Sequence, residues 1–182
     1  MITRYTLLGL LFLMGFTTLR AQEIALTPPP KINWMTWEEM MAANAETPKK
    51  IFVDAYTDWC GWCKRMDATT FKNPNLVNYL NEHYYAVKLD AEMRDTVLFQ
   101  DSAMVPSSDR PRAPHQLAVW LLNGKMSYPT FVILDENYRN FGPIPGYKKP
   151  AELEPFLVFI GEGHYRSTDW NSFYTNFQPQ FN

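Results

Sequence analysis

The chain has 182 residues, 46% of them hydrophobic and 15% aromatic, which suits one globular domain with a sizeable core and is short for two. Its 17 Lys and Arg stand against 19 Asp and Glu, for a formal charge of −2. The basic residues are scattered rather than striped, so the electrostatic footprint of a nucleic-acid binder is missing.

Taken in chain order, the sequence opens with a basic start, "MITR", an apolar run over residues 5–16, and a polar stretch ending in Ala21. That order predicts a secretory signal peptide over 1–21, with the mature chain beginning at Gln22. The apolar run is well short of the roughly 20 residues that span a bilayer. An uncleaved anchor is the alternative, because Leu19 stands three residues before the cut. With no cysteine following the run, a lipid-modified N-terminal cysteine is not expected. Residues 22–31, "QEIALTPPPK", read as an extended proline-rich lead-in.

"KINWM" is a short strand candidate. "TWEEMMAANAET" predicts a helix, with Thr36 as N-cap and Glu39 completing a capping box. "KKIFVDAY" reads as a buried strand, Ile51, Phe52, Val53 and Ala55, interrupted by one acid, Asp54. A helix is expected from about Cys60 through "CKRMDATTF", and another from Pro74. "YYAVKLDA" is the next strand. Residues 91–115 look like an inserted loop, with one short helix expected near Thr96–Gln100. "HQLAVWLL" predicts a short helix stopped by Asn123-Gly124. "TFVILD" is a strand, "FGPIPGY" an edge strand broken by prolines, and "PAELEPFLVFIGEG" the last helix. The aromatic, Asn-rich tail over 162–182 shows no clear period. Strands alternating with helices argue for an α/β sandwich around a mixed sheet.

Cys60 and Cys63 are the only cysteines. In an exported protein they are expected to close into a disulfide, yet a loop this small constrains the unfolded chain very little. A helix N-terminus at Cys60 would stabilise a thiolate, and Cys63 one turn on would resolve it, which is the chemistry of disulfide exchange. Structural zinc needs two more ligands, and His83, His115 and His164 form no second close pair. A Cu(I) or zinc carrier using both thiolates is a further alternative. Asp54, an acid inside an apolar strand, costs free energy unless it is paired or functional. Burial would raise its pKa and suit it to exchange a proton with Cys63 through water. An edge-facing acid bonded to a loop is the plainer reading. Lys88 on the neighbouring strand is its candidate partner. Pro129 stands just before a buried-looking strand, and a cis Tyr128-Pro129 bond would leave the Tyr128 backbone open to an incoming peptide.

"FVDAYTDWCGWCK", "AVKLDA", "YPTFVILD" and Gly146 in "IPGY" together resemble the thioredoxin superfamily over residues 32 to about 160. "TFKNPNLVNYLNEHYYAVKLDAE" is more similar to exported thioredoxin-like domains related to the C-terminal domain of membrane thiol:disulfide interchange proteins. The resemblance implies a three-layer sandwich with a central mixed sheet, spanning 32–161, and a C-terminal extension over 162–182. It implies Cys60 as attacking thiolate, Cys63 as resolving thiol, Asp54 and Lys88 as a proton-handling pair, and Pro129 as the cis-proline. The same resemblance implies that Trp59 would shield the site and that Trp62, Tyr128 and Pro129 would join it in binding substrate. No cofactor or metal is implied. The expected partners are disulfide-containing exported proteins and a membrane or soluble electron donor, in the periplasm. Gly61-Trp62 replaces the Gly-Pro of classical thioredoxin, so reducing strength does not carry over. An oxidase or isomerase of the same fold, or a binding module without turnover, are the competing functions.

Overall fold

The computed structural model describes residues 28–181; the expected signal peptide and residues 22–27 of the lead-in lie outside the described residues. In chain order the elements begin β1 (Trp34–Met35), α1 (Trp37–Glu46), β2 (Lys50–Tyr56), α2 (Gly61–Ala68), α3 (Pro74–His83) and β3 (Tyr84–Asp90). They continue with β4 (Val97–Phe99), β5 (Ser102–Met104), α4 (Gln116–Leu121), β6 (Thr130–Leu134), β7 (Asn140–Pro145), α5 (Pro150–Gly161) and α6 (Trp170–Asn176).

Five strands form one sheet in the order β1-β3-β2-β6-β7. β1 and β2 run parallel to β3, while β6 runs antiparallel to β2 and β7 antiparallel to β6. This is the expected α/β architecture with a mixed sheet, and proline-broken β7 lies at the edge, where missing donors are tolerated.

β2 is central and buried on both faces, which is why its sequence reads as a continuous apolar run. Ile51, Val53 and Ala55 face one core, with Trp37, Met40, Leu117 and Leu121 from α1 and α4. Phe52 faces the other, with Phe71, Leu76, Leu80, Phe131 and Leu157. Phe52 stacks on Phe131 at 5.7 Å. Each such fully buried side chain contributes about 1.5–3 kcal/mol. Strand alternation places Asp54 on this second face, two residues past Phe52.

The helix signals act as their chemistry requires. Thr36 Oγ1 accepts from the Glu39 N–H at 3.2 Å while Glu39 accepts from the Thr36 N–H at 2.8 Å. Asn73 accepts from the Leu76 N–H at 3.0 Å, with Pro74 in the first turn.

One segment differs from expectation. The helix expected near Thr96–Gln100 is a β-hairpin, β4 paired with β5. Its turn residues Gln100 and Asp101 have φ of 49° and 60°, a left-handed pair that a helix cannot contain. Val97 and Phe99 point into the core and Leu98 outward, so burial selects the two-residue period. Buried His115 ties the insertion down: Nδ1 accepts from the Leu117 N–H at 3.1 Å and Nε2 meets the Asp95 carbonyl at 3.0 Å.

The tail is also ordered. Asp169 caps α6, and Trp170 stacks on Phe156 of α5 at 4.6 Å. Buried Glu154 then accepts from the backbone N–H groups of Gln180 and Phe181 at 2.7–2.9 Å.

Candidate active site

From the end of β2 the chain turns through Thr57, Asp58 and Trp59, closed by a Cys60 N–H bond to the Thr57 carbonyl at 3.0 Å. Cys60 is the N-cap of α2, and its Sγ accepts from the Cys63 N–H at 3.1 Å. The two cysteines form a disulfide with their Cα atoms 5.3 Å apart, and both are buried. A sulfur in this position faces an otherwise unpaired N–H and the positive end of the helix dipole. Were the bond to open, those groups would favour a thiolate at Cys60.

Asp54 is 1% exposed, level with Lys88 of β3 on one side and Phe131 of β6 on the other. Lys88 Nζ donates to Asp54 Oδ2 at 2.6 Å, and Oδ1 has no hydrogen-bond partner among the described residues. Burial raises the Asp54 carboxyl from its ordinary 3.8 to about 6, with Lys88 pulling it partway back and Asp67 adding to the rise. For Lys88, burial works against the ammonium, but Asp54 and then Asp67 more than offset it, so the charge is held more firmly than in a free lysine.

Asp67 of α2 contacts the same ammonium at 2.5 Å, and the rings of Trp34, Tyr56 and Phe71 enclose it at 5.1–5.3 Å. Sequence reasoning named Asp54 and Lys88 but missed Asp67. Its spacing of four from Cys63, one turn along the same helix face, is the signal that points to it.

Tyr128-Pro129 is a cis peptide bond. The pairing of Ala55 with Thr130 sets Pro129 one residue beyond the ladder, at the strand end from which the chain runs on to Cys60. The Pro129 carbonyl accepts from the Gly146 N–H at 2.8 Å, and Gly146 holds φ of +84° there, a conformation that favours glycine. Among the described residues Tyr128 makes no backbone hydrogen bond, and its ring meets Trp59 edge-on at 5.9 Å. The Trp59 indole N–H donates to Glu92 at 3.0 Å. Trp62 meets Tyr147 at 5.5 Å on the other flank. Trp59 and Trp62 are 53% and 60% exposed, large apolar surfaces left in water on either side of the disulfide. Glu92 and Tyr147 belong to this surround and were not singled out from sequence, since a lone acid after a strand and a tyrosine in a loop carry no pattern.

The Thioredox_DsbH family model, described as a protein of unknown function, DUF255, matches residues 25–141. The chain belongs to this family. The Thioredox_DsbH match takes in Asp54, Cys60, Cys63, Lys88 and Pro129 and ends before α5 and the tail.

A stretch of 50 residues is 34% identical to the thiol:disulfide interchange protein DsbD of Photorhabdus laumondii, covering 28% of this chain and 8% of that protein. The curated relatives that the chain matches are far longer, with 8–9% of their length covered. Among solved structures, a thioredoxin-fold protein from Helicobacter pylori matches with TM-score 0.54 and 21% identity, over 70% of this chain and 78% of that one. A DsbH oxidoreductase matches with TM-score 0.50 and 15% identity, over 75% and 92%. The thioredoxin-superfamily resemblance and the kinship with interchange proteins are thus borne out. A close cysteine pair on this fold is the equipment of a thiol–disulfide oxidoreductase.

Proposed function

We propose that this chain is an extracytoplasmic thiol–disulfide oxidoreductase that reduces, or relays electrons to, disulfides in exported proteins. The observation that carries the reading is the Cys60–Cys63 disulfide at the start of α2, with the Cys63 N–H aimed at Cys60 Sγ. In the reduced protein, the Cys60 thiolate attacks one sulfur of a substrate disulfide and expels the other as a thiolate. Cys63, giving up its proton, attacks Cys60 Sγ, releases the second substrate thiol and restores the bond seen in this structure.

Two electrons pass to the substrate in each cycle, so a dithiol partner, in the membrane or soluble, must return them. Asp54 accepts the Cys63 proton through water, and Lys88 holds the carboxylate in place for that transfer. Trp59, Trp62, Tyr128 and Pro129 form the surface on which the substrate chain lies, with the unpaired Tyr128 backbone as its docking edge. The apolar run over residues 5–16, read as an export signal, supports action outside the cytoplasm.

The test is Cys63→Ser expressed in the native compartment. It should accumulate mixed disulfides between Cys60 and protein partners, while Cys60→Ser accumulates none. If neither variant traps a partner, the exchange mechanism fails. The potential of the couple against glutathione fixes direction: about −270 mV supports a reductant and about −120 mV would reassign the chain as an oxidase.

A further inference from the structure

The C-terminal extension lies outside the family match and has no part in the exchange chemistry, yet it is built onto α5 of the domain. Trp170 and Phe173 of α6 pack on Phe159 of α5 at 5.3 and 5.0 Å. The end of the chain is fastened twice, by Glu154 holding the Gln180 and Phe181 amides and by the Phe181 ring buried against Tyr79 at 5.5 Å. This anchoring sets Tyr174 and Pro179 as one wall of a cleft of about 580 Å³ whose other wall includes Tyr147, Lys148 and Phe156. Tyr147 is the ring that Trp62 touches. Tyr174 is 56% exposed, close to the 60% of Trp62. Tyr147 therefore connects Trp62, the residue between the two cysteines, to the cleft that the tail walls.

We infer that the C-terminal extension forms a substrate-binding groove, occupied by the polypeptide segment that flanks the cysteine under attack, with apolar side chains of that segment seated between Tyr147 and Tyr174. This inference rests on the oxidoreductase reading. A substrate sulfur must reach Cys60, so its chain has to leave across the neighbouring surface, and the cleft shares Tyr147 with that surface. The lining is three aromatic rings, Ala151 and Pro179 with one lysine and one glutamate, Lys148 and Glu152, which bond the nearby Pro145 carbonyl and Lys149 N–H. This suits leucine or phenylalanine side chains of an extended segment better than glycine-rich ones, and the Glu152 carboxylate disfavours acidic ones. The extension thus selects exposed, apolar cystine segments such as those of unfolded exported proteins.

The experiment uses the reduced full-length protein and two synthetic peptides, each carrying one cysteine as a mixed disulfide with thionitrobenzoate. One cysteine is flanked by Leu and Phe, the other by Gly and Ser, and release of the coloured thiol gives the second-order rate of attack. Wild type should prefer the apolar peptide by about tenfold, and Tyr174→Asp should bring that ratio close to one. Leu98→Asp, an equally exposed apolar residue on the distant-sequence β4–β5 hairpin, should keep the preference. A wild type that attacks glutathione disulfide but shows no preference, or a Tyr174→Asp variant that keeps it, overturns the groove and leaves the oxidoreductase reading standing. Failure to attack either peptide or glutathione disulfide overturns both.

Discussion

Replacing Asp54 by asparagine should stabilise the oxidised protein at neutral pH. The carboxyl is buried, and its pKa in the folded chain is about 6 against an ordinary 3.8. Between those two values the folded state still holds the proton and the unfolded chain has lost it. Stability therefore falls as pH rises through the window, and the whole loss is present above it. A rise from 3.8 to about 6, at ~1.4 kcal/mol per pH unit, comes to ~3 kcal/mol. Asparagine has nearly the same shape and never ionises, so it escapes that loss, while Lys88 keeps Asp67 as a partner.

Urea unfolding of both proteins at about pH 3 and about pH 7.5 checks this, because extrapolated free energies resolve a difference of that size. At the lower pH both side chains are neutral, and whatever offset separates the proteins there is a packing term. The variant's advantage should then grow by ~3 kcal/mol at the higher pH. An offset that stays constant, or that moves in favour of wild type as pH rises, refutes the argument that Asp54 is a buried acid under desolvation.

Lys88→Met removes the influence that lowers the Asp54 pKa, so the carboxyl should titrate above about 6, followed by carbon NMR of labelled aspartate; a downward move would refute the pairing. Glu154→Ala leaves the amide of Gln180 and the buried amide of Phe181 without their acceptor. It should cost about 1–3 kcal/mol, and hydrogen exchange should show the amides of Gln180 and Phe181 losing protection before the sheet does.

Most of the sheet was legible because each strand and helix declares itself locally. "IFVDA" reads as buried on both sides, and Thr36 with Glu39, and Asn73 with Pro74, mark helix starts by hydrogen bonds made within three residues. The hairpin of β4 and β5 was not legible, since each strand has only three residues and "QD" lacks the glycine that usually announces such a turn. Helix α6 was hidden for another reason. None of its residues is buried, and it is held by ring contacts with α5, so its sequence carries no apolar stripe to count. In the site, Cys60, Cys63, Asp54 and Pro129 stand out because each breaks a local expectation, and Lys88 draws notice only as the partner of Asp54 on the next strand. Asp67, Glu92 and Tyr147 do not, because an acid on a helix, an acid after a strand and a tyrosine in a loop are ordinary until the fold brings them to Lys88, Trp59 and Trp62.

The presence of Asp54 at this position is itself informative. Its flanking residues Val53 and Ala55 are apolar, its neighbour across the sheet is Phe131, and a hydrophobic side chain would suit the same face. Lys88 does not require it, since Asp67 and the rings of Trp34, Tyr56 and Phe71 already hold the ammonium. Packing and ion pairing therefore both fail to account for a group that costs ~3 kcal/mol at neutral pH. A proton-handling role does account for it, because a carboxyl titrating near 6 is ionised when it must accept a proton at neutral pH, and remains close enough to that pH to give the proton back. In the proposed exchange cycle, the residue that weakens the fold is the one that takes up and returns the Cys63 proton.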